Sequence, residues 1–216
     1  MFPATAALDT TFNAGDIILG FRTNSGTGSS TTIMVNLGAA SLYRDATSNI
    51  LNVGNIGTLL NDTYGIGGGD GTQWYDRTSL YVGLVAATNG TNINNSGSVA
   101  VGQDPNSTVY LSARRTAVGT VGSAQSTKPG NSLPLDSLVQ PAGARITTLG
   151  GVFDANDLNA IANIASSTTN SWNSYTTGTN SSDINSLFNI ESAFASGSFG
   201  SFGASGAIEM ALDLYR

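Results

Sequence analysis

The chain has 216 residues, and Gly 27, Ser 26, Thr 25 and Asn 21 together make 99 of them. Charged residues are 10%, the formal net charge is −6, and there is no cysteine and no histidine. That inventory excludes a thiol nucleophile, a Ser-His-Asp triad, a zinc finger, haem held by His or Cys, and an iron–sulfur cluster held by cysteines. Arg114-Arg115 is the only adjacent basic pair, so the chain lacks the clustered cations that a nucleic acid partner demands. At 40% hydrophobic residues with few charges, it has the means to bury a core.

Residues 1–14 are small and apolar, with Phe2, Leu8 and Phe12 spaced by Ala, Thr and Pro. They read as an extended arm or first strand, separate from a single β-rich domain over 15–216. Asp16 to Arg22 is a strand apolar enough to be covered on both faces. Asn24 to Ser29 is turn material, and Thr31 to Leu37 returns as a second strand of a hairpin. Leu51–Val53 is a candidate short strand. Ile56 to Tyr64 places apolar residues at helical spacing before Gly65.

A glycine-rich loop spans 65–71. It lacks the Gly-Lys-Ser/Thr ending of a phosphate cradle, so it reads as a surface loop. Leu80 to Ala87 and Thr108 to Arg114 read as strands, and 119–134 as a long connection. Asp154 to Ile164 is the best helical pattern, with Leu158, Ile161 and Ile164 on one face and Asp154 at the N-cap position. An Asn/Ser/Thr tract covers 166–182, and Leu187 to Phe194 is ambiguous. In the last segment Ile208, Met210, Leu212 and Leu214 alternate with Glu209, Ala211, Asp213 and Tyr215. The pattern predicts a mainly β fold: an antiparallel β-sandwich-like domain with one or two short helical insertions and long uncharged loops.

The blocks Gly15 to Arg22, Val35 to Gly38, Trp74 to Gly83 and the closing Leu212-Asp213-Leu214-Tyr215-Arg216 resemble secreted proteins of the PEP-CTERM class of Verrucomicrobia and Planctomycetes. The resemblance implies export and a role at the cell surface or in the matrix. It carries no catalytic residues, and the Pro-Glu-Pro sorting tail is not among these residues.

For metals, oxygen donors point to calcium, and Asp154, Asn156 and Asp157 are the nearest to a ligand group. They lack the spacing of a calcium-binding loop, and the expectation is a chain without a cofactor. For acid–base chemistry, Glu191 and Glu209 are the two glutamates, on strand-like segments 18 residues apart, and form the nearest thing to a hydrolase pair. For sugar stacking, Trp74, Tyr75, Trp172 and Tyr175 lie in or beside polar loops. No window of about 18 apolar residues marks a transmembrane helix. No signal peptide opens the chain, and the composition suits a mature exported form.

The leading expectation is therefore an extracellular, non-enzymatic subunit that polymerises with copies of itself by strand addition. Phe2, Leu8 and Phe12 would supply the arm, and Ile208, Met210, Leu212 and Leu214 an edge strand. A secreted carbohydrate-binding or adhesive module is the alternative, and a carboxylate-dependent hydrolase stands third.

Overall fold

The computed structural model describes residues 11–40, 43, 56–66, 73–88, 108–113, 146, 148–153, 160–177, 190–193 and 213–215. The first strand, β1 (Asp16–Thr23), is buried along its whole length, as its near-continuous apolar run predicts. It turns through residues 24–30 into β2 (Thr31–Ala39). Helix α1 (Ile56–Tyr64) follows with Ile56, Leu60 and Tyr64 buried, one helical turn apart each time. A 3-10 turn (Trp74–Asp76) leads into β3 (Leu80–Ala87). Beyond them come β4 (Val109–Ala113), a helical segment over 148–153, β5 (Ile161–Ala165), helix α2 (Trp172–Thr177), β6 (Ser192–Ala193) and β7 (Asp213–Tyr215).

The strands form one antiparallel sheet in the order β5-β2-β1-β3-β4-β7, with β6 pairing β3 off that path. The mainly β expectation holds. The described strands all belong to this one sheet, and among the described residues helices pack on its two faces.

Side-chain alternation splits the core accordingly. Ile17, Leu19 and Phe21 of β1, Ile33, Val35 and Leu37 of β2, and Leu80, Val82 and Leu84 of β3 pack on one face with α1 and Trp74. Ile18, Met34, Val85 and Leu111 pack on the other with Phe153, Trp172, Tyr175 and Ile190. We refer to these as the α1 face and the α2 face. Among the described residues no helix is long and apolar enough to cross a membrane.

Two elements differ from the sequence reading. Residues 161–165 are a strand, not the end of a helix starting at Asp154. Ala162 and Ile164 face the α2 side while Ile161 packs toward the α1 side, a period of two that pairing with β2 enforces. Helix α2 lies inside the tract read as loop. It is six residues long, and the Ser171 hydroxyl caps it by accepting the Ser174 N–H at 3.0 Å.

Strand β3 shares one edge between two partners. Val85, Ala86 and Ala87 pair with β4, whereas Tyr81 and Val82 pair with β6. The gap between them is filled by the buried Ser112 hydroxyl. It accepts the Leu84 N–H at 2.8 Å and donates to the Ile190 carbonyl at 2.7 Å, with the Leu84 carbonyl 3.2 Å away. A side chain here replaces the missing ladder bonds, which a buried backbone cannot forgo.

Candidate functional site

Glu191, one of the two candidate catalytic glutamates, lies on the α2 face. Arg22 of β1 holds its carboxylate through Nε, 2.9 and 3.1 Å from the two oxygens, and through Nη2. Trp172 donates its indole N–H to the same group at 2.9 Å. Side-chain exposure is 10% for Arg22 and 4% for Glu191. The Arg22 guanidinium also sits 4.9 Å from the Tyr81 ring centroid. A carboxylate engaged by a bidentate arginine and an indole is a fastener between β1, α2 and the segment leading into β6. Those segments are 169 residues apart in the chain at the Arg22–Glu191 link. The second glutamate, Glu209, lies outside the described residues.

Two glycines make room for this fastener. Gly20 and Gly83 are cross-strand neighbours on β1 and β3, and the Trp172 ring occupies the trough between the strands. A Cβ on Gly20 would fall within the indole itself, and one on Gly83 would lie 2.8 Å from the Ile190 carbonyl and 3.1 Å from the Trp172 ring. The absence of side chains at these two positions makes the seat, and nothing in the local sequence flags it.

On the α1 face the corresponding organiser is Arg77. Its Nη1 donates to the Thr27 and Tyr64 carbonyls, both at 2.6 Å, and its Nη2 to the Ser25 carbonyl at 2.7 Å and the Ser79 hydroxyl at 3.1 Å. These bonds hold the β1–β2 loop against the C-terminal end of α1, where the helix dipole favours a cation. The loop needs Gly28: its φ is +81°, and a Cβ there would sit 2.5 Å from the Thr63 carbonyl oxygen. The buried Tyr64 hydroxyl lies 3.0 Å from the Phe21 carbonyl and 3.1 Å from that of Thr31, and shares its proton between them. Burial pushes its pKa well above the ordinary 10.0, against the opposing charges of Arg77 and Arg22.

The aromatic candidates for sugar stacking are packing residues in the structure. Trp172 is 0% exposed, Tyr175 1% and Trp74 7%. Trp74 meets Phe21 and Tyr75 edge to face, at 6.4 and 5.6 Å between centroids. Of the four, only Tyr75 keeps an exposed part. The glycan-contact expectation is corrected for the other three, because a ring wholly inside a core offers no face to a pyranose.

Phe12 of the arm lies on Gly150 of the helical segment and packs against the α2-face core. Next to it the Asn36 side chain donates to the Thr11 carbonyl at 3.3 Å and to the Asp16 carboxylate at 3.3 Å, and the Asn13 N–H reaches Asp16 at 2.7 Å. Tyr43 has its pKa raised by burial and, secondarily, by the Asp16 charge. So residues 11–13 are tied to their own domain.

Leu214 is part of β7, which pairs with β4, its backbone opposite Ser112. The other assembly candidates, Phe2, Leu8, Ile208, Met210 and Leu212, lie outside the described residues, as do the calcium candidates Asp154, Asn156 and Asp157. Among the described residues no three acidic side chains converge as a metal site.

The remaining feature is the edge that the sequence reading missed. β5 ends the described sheet order opposite β7. Bonds from the Asn36 N–H to the Ala160 carbonyl and from the Ser166 N–H to the Ser30 carbonyl, both 2.8 Å, set the phase of its ladder with β2. Antiparallel pairs alternate, so Ile161, Asn163 and Ala165 aim their N–H and C=O groups away from β2. The strand carries no charge and no proline, and Asn163 and Ala165 are exposed. Edges are ordinarily guarded by lysine, proline or bulges, and β5 has none of these within it. The sequence Ile161–Ala165 does not itself alternate, and pairing with β2 sets its period of two.

Compared with protein-family models, with curated proteins and with solved structures, the chain gives no match.

Proposed function

We propose that this chain is a non-catalytic structural subunit that assembles with copies of itself through an exposed sheet edge, as part of an extracellular filament or surface layer. The observation that carries the reading is β5: an uncharged terminal strand whose outward N–H and C=O groups at Ile161 and Asn163 form a template for another strand. Supporting it, Glu191, the candidate glutamate among the described residues, is engaged by Arg22 and Trp172 in holding the fold. The extracellular setting rests on the hydroxyl- and amide-rich composition with a single lysine, and on the resemblance to exported surface proteins.

Sedimentation and negative-stain microscopy of the purified chain over a wide concentration range test this. Growth into polymers or sheets as concentration rises is the expected result. A monomer at every concentration sinks the reading.

A further inference from the structure

The hydrogen-bonding groups of β5 also point to what meets this edge. Resting on the assembly reading above, we propose that β5 pairs with β5 of a second copy. The two strands run antiparallel about a two-fold axis at Ala162, with Ile161 of each opposite Asn163 of the other.

The free groups set this register. Ala160, Ala162, Ile164 and Ser166 bond toward β2, so the outward groups are those of Ile161, Asn163 and Ala165. Ala165 offers its N–H alone, because its carbonyl accepts the Thr168 N–H at 3.1 Å and the Thr168 hydroxyl at 2.7 Å. The usable edge is therefore one N–H and one C=O at each of Ile161 and Asn163, and among the described residues no strand takes them. An axis at Asn163 would set Ala165 against Ile161 at both ends of the pair, and each end would ask an occupied carbonyl to take a further donor. An axis at Ala162 instead sets Ile161 against Asn163 at both ends. Each of these pairs exchanges two bonds, and every free group finds a partner. The edge is its own complement.

Side chains and charge agree with the register. Ala162 faces Ala162 across the axis as a non-hydrogen-bonded pair, where side chains come closest, and two methyl groups fit there. On the same face the half-buried Ile164 of one copy lies opposite Ala160 of the other, large against small. The chain as a whole carries a net charge of −6, yet residues 160–177 and β2 hold no charged side chain. Two copies therefore meet here without the repulsion that their net charge brings elsewhere. Pairing joins the two sheets edge to edge into one. A two-fold contact closes on itself, so this pair is the unit from which a filament or layer extends through another surface.

The chain has no cysteine, so introduced thiols report the register. Across the axis the two Ala162 Cα atoms would lie about 4.5 Å apart, within the range a disulfide spans. Ala162→Cys should therefore give a disulfide-linked dimer under mild oxidation. Ile161→Cys mixed with Asn163→Cys should give the mixed dimer, while each alone stays largely monomeric. Asn163→Pro removes an outward N–H without costing a ladder bond to β2. It should raise the concentration at which wild type self-associates by about tenfold or more in analytical ultracentrifugation. Asn163→Lys, which brings like charges to the axis, serves the same end should circular dichroism show that the proline variant fails to fold. Asn163→Cys cross-linking with itself in preference to Ala162→Cys overturns this inference while leaving self-assembly standing. So does the absence of a cross-link in both Ala162→Cys and the mixture when wild type associates, and so does undiminished association of the Asn163 variants. A wild type that is monomeric at every concentration overturns both readings.

Discussion

The two faces of the sheet are each organised by one buried arginine, and the two differ in what the charge is asked to do. Arg77 gathers carbonyls and hydroxyls from the β1–β2 loop, the end of α1 and Ser79, between 2 and 52 residues away in the chain. Arg22 binds a carboxylate 169 residues away and brings with it the indole that covers β1 and β3. The first is a local tie among neutral acceptors at a helix end. The second joins distant parts of the chain, and a fully charged, bidentate pair gives that link both strength and direction. Among the described residues the α2 face thus gains a charged long-range fastener, whereas the α1 face is tied by several bonds to neutral acceptors.

The sharpest break is steric. Gly20→Ala places a methyl group where the Trp172 ring lies, so α2 must lift from the sheet. We expect a loss of roughly 3 kcal/mol or more, read by chemical denaturation, with the Trp172 fluorescence shifting red as the ring meets water. Next, Glu191→Ala leaves the Arg22 charge without its carboxylate and should cost about 3–5 kcal/mol. Glu191→Gln keeps an acceptor for Arg22 and Trp172 and should cost visibly less. Equal losses in the two variants would mean that a neutral acceptor recovers nothing and that the carboxylate charge carries the fastener.

A smaller effect tests the α1 face. Tyr64→Phe removes the proton shared by the Phe21 and Thr31 carbonyls, for about 1 kcal/mol. It also carries a pH signature. Burial raises the folded Tyr64 pKa above the unfolded 10.0, so its contribution is full below pH 10 and is lost as pH rises through the raised value. Wild type should lose stability steeply above pH 10, and the Phe variant should flatten that limb in a pH series of thermal melts.

The smallest change has the opposite sign. The Thr32 hydroxyl is buried with no hydrogen-bond partner among the described residues. Thr32→Val exchanges it for a methyl of like size and should raise stability by about 1 kcal/mol, measured by the denaturation midpoint.

How much of this the sequence shows depends on how local each cause is. Ile56, Leu60 and Tyr64 announce α1 because 3.6-residue spacing and Gly65 lie within one short window. The runs in β1 and β3 are long enough to read as strands covered on both sides. β5 escapes because Leu158, Ile161 and Ile164 also fit a helical face, and only pairing with β2 settles the period. Helix α2 escapes because its polar residues are ordinary loop formers. It exists because Ser171 caps it and the Gly20–Gly83 trough receives Trp172, and both partners of that trough lie far away in the chain. The candidate site follows the same rule. The β5 edge is created by strand order, which no local window of the sequence shows.

The divided edge of β3 also sets an order of events. The β1–β2 hairpin can close as soon as residue 39 exists, whereas β3 finds its partners at 109–113 and again at 192–193. Loop-closure entropy delays such distant pairings. A chain emerging in the order of its synthesis holds the Tyr81–Val82 part of that edge without its β6 partner until nearly nine-tenths of its length is available. The Ile190 carbonyl, which takes the Ser112 hydroxyl in the gap between β4 and β6, belongs to the same late segment.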